Sequence, residues 1–352
     1  MAYTNIDDPS AHFQIKTYTG NRTGGHAITN DGNSDLQPDL IWNKSSSYPS
    51  YHTWWDSSRG SPKYIGSNGT EAEGTYTGYL STFDSDGFTL GGGDSRVNHN
   101  HEYVAWQWKA NGGTTSSNTD GSITSTVQAN QDAGFSIVTY TAPNSSGNFT
   151  AGHGLGVKPD MVITKSRSVA GGWWTWHKDL GQPNYYVGLH TNVAQAFEAN
   201  IWGAGFDTST IGLNVAASSQ ASQTYVAYCF AEKQGYSKFG SYVGNGNDNG
   251  PFVYTGFKPA WIMVKNIDSG VDHWHIIDNK RNPNNVAGKL LFADLTSAEI
   301  TYTTEVLFDI LSNGFKLRGD YDHINKSGEN IIYMAFAENP FTTSTGIPTT
   351  AR

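Results

Sequence analysis

The chain writes the same closing strand three times. "EYVAWQWKANG" (from Glu102), "TYVAYCFAEKQ" (from Thr224) and "NIIYMAFAENP" (from Asn330) share their order of aromatic, aliphatic and small residues. The opening segments recur too, as "FQIKTYTGN" from Phe13, "FSIVTYTAPN" from Phe135 and "SKFGSYVGNG" from Ser237. Aligned on Tyr18, Tyr140 and Tyr242, further landmarks fall into register. "QPDLIWNK", "KPDMVITK" and "KPAWIMVK" carry Pro38, Pro159 and Pro259 and end on Lys44, Lys165 and Lys265. A hairpin signal follows, "SDGFTL" at Ser85 and "SNGFKL" at Ser312, with the looser "DTSTIGL" at Asp207. Asp-Gly and Asn-Gly tolerate the positive φ angles of a type I′ turn. Four landmarks in one order, three times, define an internal repeat, and a period of about one hundred residues is that of whole domains rather than of a solenoid.

Composition narrows the fold. Charged residues make up 15% and aromatic residues 13%, with 40 Gly, 11 Trp and 19 Tyr. Aromatic and β-branched runs broken by Gly, Asn, Asp and Ser predict an all-β chain. The expected organisation is three tandem β-sandwich units, jelly-roll or concanavalin-like, over residues 1–110, 135–232 and 237–341. A polar linker covers 111–134 and a tail covers 342–352. The four residues "KQGY" between the last two units imply a rigid pair, with the first unit held more loosely. Both faces of "YVAYCFA" are apolar, so the closing strand should be central and covered on both sides. The lysine that ends each Pro-led strand reads as the edge of burial.

The segments after those lysines are rich in aromatics: "YHTWWDSSRG", "WWTWHKDLG" and "HWHIIDNKRN". Aligned on Asp56, Lys178 and Asp278, one face carries Trp54, Trp176 and Trp274, expected in the core of each separate sandwich with Cys229. The opposite face varies. Trp55 and the neighbouring Trp173 and His177 are the candidates for a sugar-stacking surface, weighed against packing between units. Asp56 with Arg59 and Asp278 with Arg281 read as ion pairs bracing a turn.

Several functions lack support in the sequence. The net charge is −9 with no basic cluster, which argues against a nucleic-acid surface. No apolar run suits a membrane span, and "MAYTNIDDPS" has no signal-peptide pattern, so assembly in a cytoplasm is expected. "HNH" (His99 to His101) and "HWH" (His273 to His275) offer two imidazoles each, too few alone for a metal site. No nucleophile elbow, phosphate loop or dinucleotide fingerprint is present, so neither catalytic residues nor a cofactor are expected.

The wording of "FSIVTYT", "GHGLGVKPDMVITKSRS", "YVAYCFAEKQGYSKFGSYVGNG", "DGFTLGG", "LSNGFKLRG" and "YMAFAENPF" resembles uncharacterised repeat proteins of marine tailed phages, over roughly residues 5 to 341. The resemblance implies a virion structural protein, a tail fibre, knob or head appendage, with other virion proteins and host-surface glycans as partners. A homo-oligomer such as a trimer is implied as well. A purely architectural capsid-decoration or adaptor protein and a glycan-active enzyme or carbohydrate-binding array are the alternatives. No heptad or collagen-like shaft accompanies the units.

Overall fold

Each repeat becomes two antiparallel sheets because its strands are apolar on one or both faces and separated by turn residues. The computed structural model describes residues 3–304 and 306–349. Its regular structure is nearly all strand, with a turn of 3-10 helix at Pro9–Ala11 and a short α-helix at Asp322–Asn325. In the first unit the main sheet runs Phe13–Thr19, Glu102–Trp108, Leu40–Ser45, Thr53–Asp56. The middle unit repeats that order with Phe135–Thr141, Thr224–Phe230, Met161–Ser166 and Trp173–His177. The third repeats it with Ser237–Val243, Asn330–Pro340, Phe257–Asn266 and His275–Asp278. The closing strand is internal to the sheet in all three.

A smaller sheet covers one face of each main sheet. In the first unit it comprises His26–Thr29, Gly87–Leu90 and Leu80–Asp84. Ile28, Phe88 and Leu90 from it meet Ile41, Trp55 and Tyr103 in a private core. The third unit has its own core of the same design, with Phe315 and Leu317 against Ile262 and Ile277. Gly87, the glycine of "SDG", closes the Ser85–Asp86 turn at φ +106, at a place where a Cβ would strike the carbonyl of Ile28.

The other face of each main sheet is where the expectation of separate domains fails. Those faces meet one another. The equivalent closing-strand residues Trp108, Phe230 and Phe336 stand at the corners of a triangle. Their ring centroids are 6.4, 6.1 and 5.6 Å apart. Trp42, Trp54 and Trp106 of the first unit, Trp173 and Tyr228 of the middle one, and Trp261 and Trp274 of the third join the same buried cluster. The three units therefore surround a pseudo-threefold axis and share an aromatic core. A small β unit has too little apolar interior to be very stable alone, and here each lends a second face to its neighbours.

The first unit is consequently not loosely held. Phe13 stacks on Phe336 at 5.0 Å, and Thr4 Oγ1 donates to the carbonyl of Gln234 at 2.8 Å. Nor is 111–134 a free linker. Ser125–Asn130 pairs antiparallel with Phe135–Thr141, and Ser116–Asn118 adds outside it, extending the middle sheet. Asp39 ties down the start of this segment by accepting from the amides of Ala110, Gly112 and Gly113 at 2.7–2.9 Å. Limited proteolysis is expected to nick the exposed stretch at 111–117. The two fragments should still co-elute as one native particle on gel filtration. Separation of an intact fragment of the first unit would show that the shared core does not hold it.

Candidate functional site

Sheet register fixes which residues are equivalent between units. Leu40 pairs with Asp56, Met161 with His177, and Trp261 with Asp278. Asp56, His177 and Asp278 therefore correspond, not Asp56, Lys178 and Asp278. One residue of slip exchanges the two faces of a strand. The true equivalents are His52, Trp173 and Trp274 at one position, and Trp55, Trp176 and Ile277 at another.

With that register the contacts between units form a closed cycle. Trp173 of the middle unit donates its indole N–H to the carbonyl of Gly66 in the first at 2.9 Å. Trp274 of the third does the same to Gly188 in the middle unit, also at 2.9 Å. His52 of the first completes the ring by donating from Nε2 to Phe292 of the third at 2.8 Å. Its tautomer follows from its other nitrogen, since Nδ1 accepts from Trp42 Nε1 at 2.7 Å. Burial, with Lys44 second, keeps the ring neutral by pushing its pKa well below the usual histidine value. Backbone bonds run round the same ring: Glu73 to Arg167, Gln195 to Ile267 and Glu299 to Ser46, at 2.8, 3.0 and 2.7 Å. Head-to-tail contacts that close after three steps are the geometry of a cyclic trimer, here written in one chain.

A third set of contacts shows how the seams differ. Tyr228 Oη donates to Asp56 Oδ2 at 2.7 Å, and Trp106 Nε1 donates to Asp278 Oδ2 at 3.0 Å. Each aspartate is also held by its own arginine, Arg59 Nε at 2.5 Å and Arg281 Nε at 2.6 Å. These pairs are buried, not the exposed turn braces expected, so breaking one leaves a charge stranded. At the remaining seam the equivalent closing-strand residue is Met334, which has no donor. There the aspartate is replaced by His177, whose Nδ1 accepts from Asp179 N while Nε2 donates to the carbonyl of Tyr333 at 3.2 Å. The arginine position becomes Leu180, also buried. Burial holds His177 down to about 4, so the donor is a neutral imidazole.

The residues proposed as a sugar-stacking surface thus lie elsewhere. Trp55 and Trp173 are 0% exposed and His177 is 1% exposed. Trp55 fills the private core of the first unit, and the other two build seams. None offers a face to a ligand. Trp54, Trp176, Trp274 and Cys229 are buried, but Trp54 and Trp274 pack across units rather than each within its own sandwich. Trp54 lies 5.1 Å from both Trp173 and Tyr228. Trp176 packs on Phe206 of its own unit at 4.2 Å. Burial also pushes the Cys229 thiol up to about 12, leaving an inert side chain.

The three strand-end lysines are the residues whose role sequence reasoning missed. All are fully buried. Lys165 Nζ donates to the carbonyls of Thr70 and Gly171, and Lys265 Nζ to those of Asn192 and Asp272, so each reaches into the preceding unit. Lys44 Nζ donates to the carbonyl of Ser45 at 2.7 Å. Burial lowers Lys165 and Lys265 to about 8. Burial and then the charge of Arg281 lower Lys44 to about 7. Their recurrence in every copy was the available signal, but lysine is so seldom buried that a strand end reads as exposed.

Of the histidine pairs, His101 stacks on Tyr48 at 4.3 Å and His273 Nδ1 meets Asp294 Oδ2 at 2.6 Å. Among the described residues no group of three or more His, Cys, Asp or Glu is arranged to hold a metal ion. Outward-facing aromatics remain at Tyr48, Tyr51 and Tyr76 of the first unit, at Phe197 of the middle one and at Phe252 and Tyr254 of the third. Arg96 sits 4.5 Å over the Tyr51 ring and 5.6 Å over that of Tyr64. A cavity of about 430 Å³ opens at one end of the middle unit, beside the half-buried Trp174. Residues 8–340 match the family model described as a domain of unknown function, DUF7483, and no curated protein matches the chain.

Proposed function

We propose that this chain, which belongs to the DUF7483 family, is a non-enzymatic structural protein on the surface of a virus particle, a rigid head that contacts other virion proteins and host glycans. The observation that carries the reading is the closed ring of units. The aromatic surplus is spent on a shared core and on seams, which makes a stiff platform, and variation between copies is left to the loops at its periphery. Exposed loops on a rigid scaffold are where binding surfaces are usually built. The resemblance in wording to phage repeat proteins supports the location. A cyclic threefold body is ordinarily built from three chains, and here one chain supplies all three parts.

Burial of Trp55, Trp173 and His177 favours, as a second reading, a protein whose contacts are wholly architectural. Peptide mapping of purified particles separates the virion assignment from its rivals. Stoichiometric recovery of the chain from intact particles is the expected result. Its absence from particles, with accumulation only in infected-cell lysate, would overturn the assignment.

A further inference from the structure

The three units close one end of their own cores differently. In the first, the segment before the closing strand buries Val97, whose carbonyl accepts from Tyr18 Oη at 2.8 Å. In the third, the equivalent segment buries Ile324, whose carbonyl accepts from Tyr242 Oη at 2.8 Å. The next residues, Asn98 and Asn325, accept from the amides of Asn21 and Asn245 and lock the plug to the opposite loop. The third unit adds Tyr321 and His323, whose rings lie 6.4 Å from that of His275.

The middle unit has no such plug. Its segment reads "AASSQASQ" from Ala216, with nothing larger than glutamine. That segment, with the small buried Ser218 and Ser219 in it, lines one side of the cavity of about 430 Å³. Trp174 forms one wall, at the position of Thr53 and His275. Its ring is held by Tyr186 in an edge-on contact at 4.9 Å and 90°, so the platform is pre-oriented. The facing wall is small, including Ala217 and Ser218, and Ala216 adopts φ +100, a conformation that costs energy for a residue with a Cβ. Serine hydroxyls and Gln220 line the space, and no acidic or basic side chain does.

We infer that this cavity binds one neutral pyranose unit of a glycan, with the sugar's apolar face stacked on Trp174 and its hydroxyls bonded to the 216–221 segment. Its volume is that of a small-ligand pocket. A flat, partly desolvated indole beside polar but uncharged groups suits a ligand with an apolar face and hydroxyl edges, and disfavours an anionic one. Among the described residues only the middle unit has such a site, because the other two fill theirs with Val97 and Ile324. The inference rests on the glycan-contact part of the reading above, but it is tested on isolated protein, so it can fail while the virion assignment stands.

The test uses glucose, galactose and N-acetylglucosamine displayed on polymer beads, with sialic acid beads as the charged control. The wild-type protein should be retained by at least one neutral sugar. Trp174→Ala should weaken retention about tenfold or more in protein that still unfolds cooperatively, since the ring is only partly buried. Gly171→Phe should abolish retention by filling the space, because a Cβ there meets only Ser166 Cβ at 3.7 Å. Failure of all three neutral sugars, unchanged retention of both variants, or equal retention on sialic acid would each overturn the inference.

Discussion

Trp108→Ala is expected to cost about 3–5 kcal/mol, the range for emptying a large aromatic from a packed core. The side chain is 1% exposed and touches Phe13, Phe230, Trp261 and Phe336, which come from all three units. The diagnostic result is the shape of the transition. A shared core predicts that calorimetry of the wild type gives one cooperative unfolding event and that the variant moves the whole of it to lower temperature. Three transitions, of which Trp108→Ala moves one, would mean that the units are thermodynamically separate.

Stability should rise with pH well past neutrality. Lys44, Lys165 and Lys265 lie near 7, 8 and 8 in the folded chain, against an ordinary lysine value of 10.5. Below about pH 7 all three are charged in both states, and the cost of burying them is at its full value. Between about pH 7 and 10.5 the unfolded chain keeps protons that the folded chain has released, so stability increases. Buried tyrosines oppose this at the top of the range. Burial raises Tyr18 and Tyr140 above their ordinary value of 10, so the stability they provide falls once the unfolded phenols ionise. Denaturant melts across pH should place the maximum near about pH 10, above the usual 5–8. Lys44→Met should stabilise the chain at pH 7 by about 3 kcal/mol and flatten the rise. A maximum near neutrality, with Lys44→Met neutral or harmful, would show that the ammonium groups stay charged in the folded state.

Much of the fold was legible because landmarks at fixed order leave little freedom. Tyr18, Tyr140 and Tyr242 and the three Pro-led strands set the unit boundaries within the sheets. The apolar faces of "YVAYCFA" required cover on both sides. What covers the second face was not legible, because an apolar strand face does not name its partner, and a chain of repeats reads as beads unless their mutual packing is seen. The site residues failed on a narrower point. In "WWTWHKD" aromatics occupy both strand faces, so hydrophobicity alone cannot set the register, and Lys178 beside the missing aspartate attracted the wrong alignment. Once His177 is placed opposite Met161, the aromatic of that strand that is only partly buried is Trp174, next to the fully buried Trp173.

The seam built by His177 and Met334 has a meaning for descent. In an assembly of three identical chains, every mutation is made in triplicate, and an exchange that removes a donor removes it from all three contacts together. Joining the copies end to end lifts that restriction. Each junction is then encoded once and can drift through its own intermediates while the other two hold the body together. The seam at which a neutral imidazole faces a carbonyl differs from the other two at three positions, His177, Leu180 and Met334, where they carry an aspartate, an arginine and an aromatic donor. Asymmetry of this kind also ends interchangeability: a unit now fits one slot, and the order of the copies along the chain has become part of what specifies the fold.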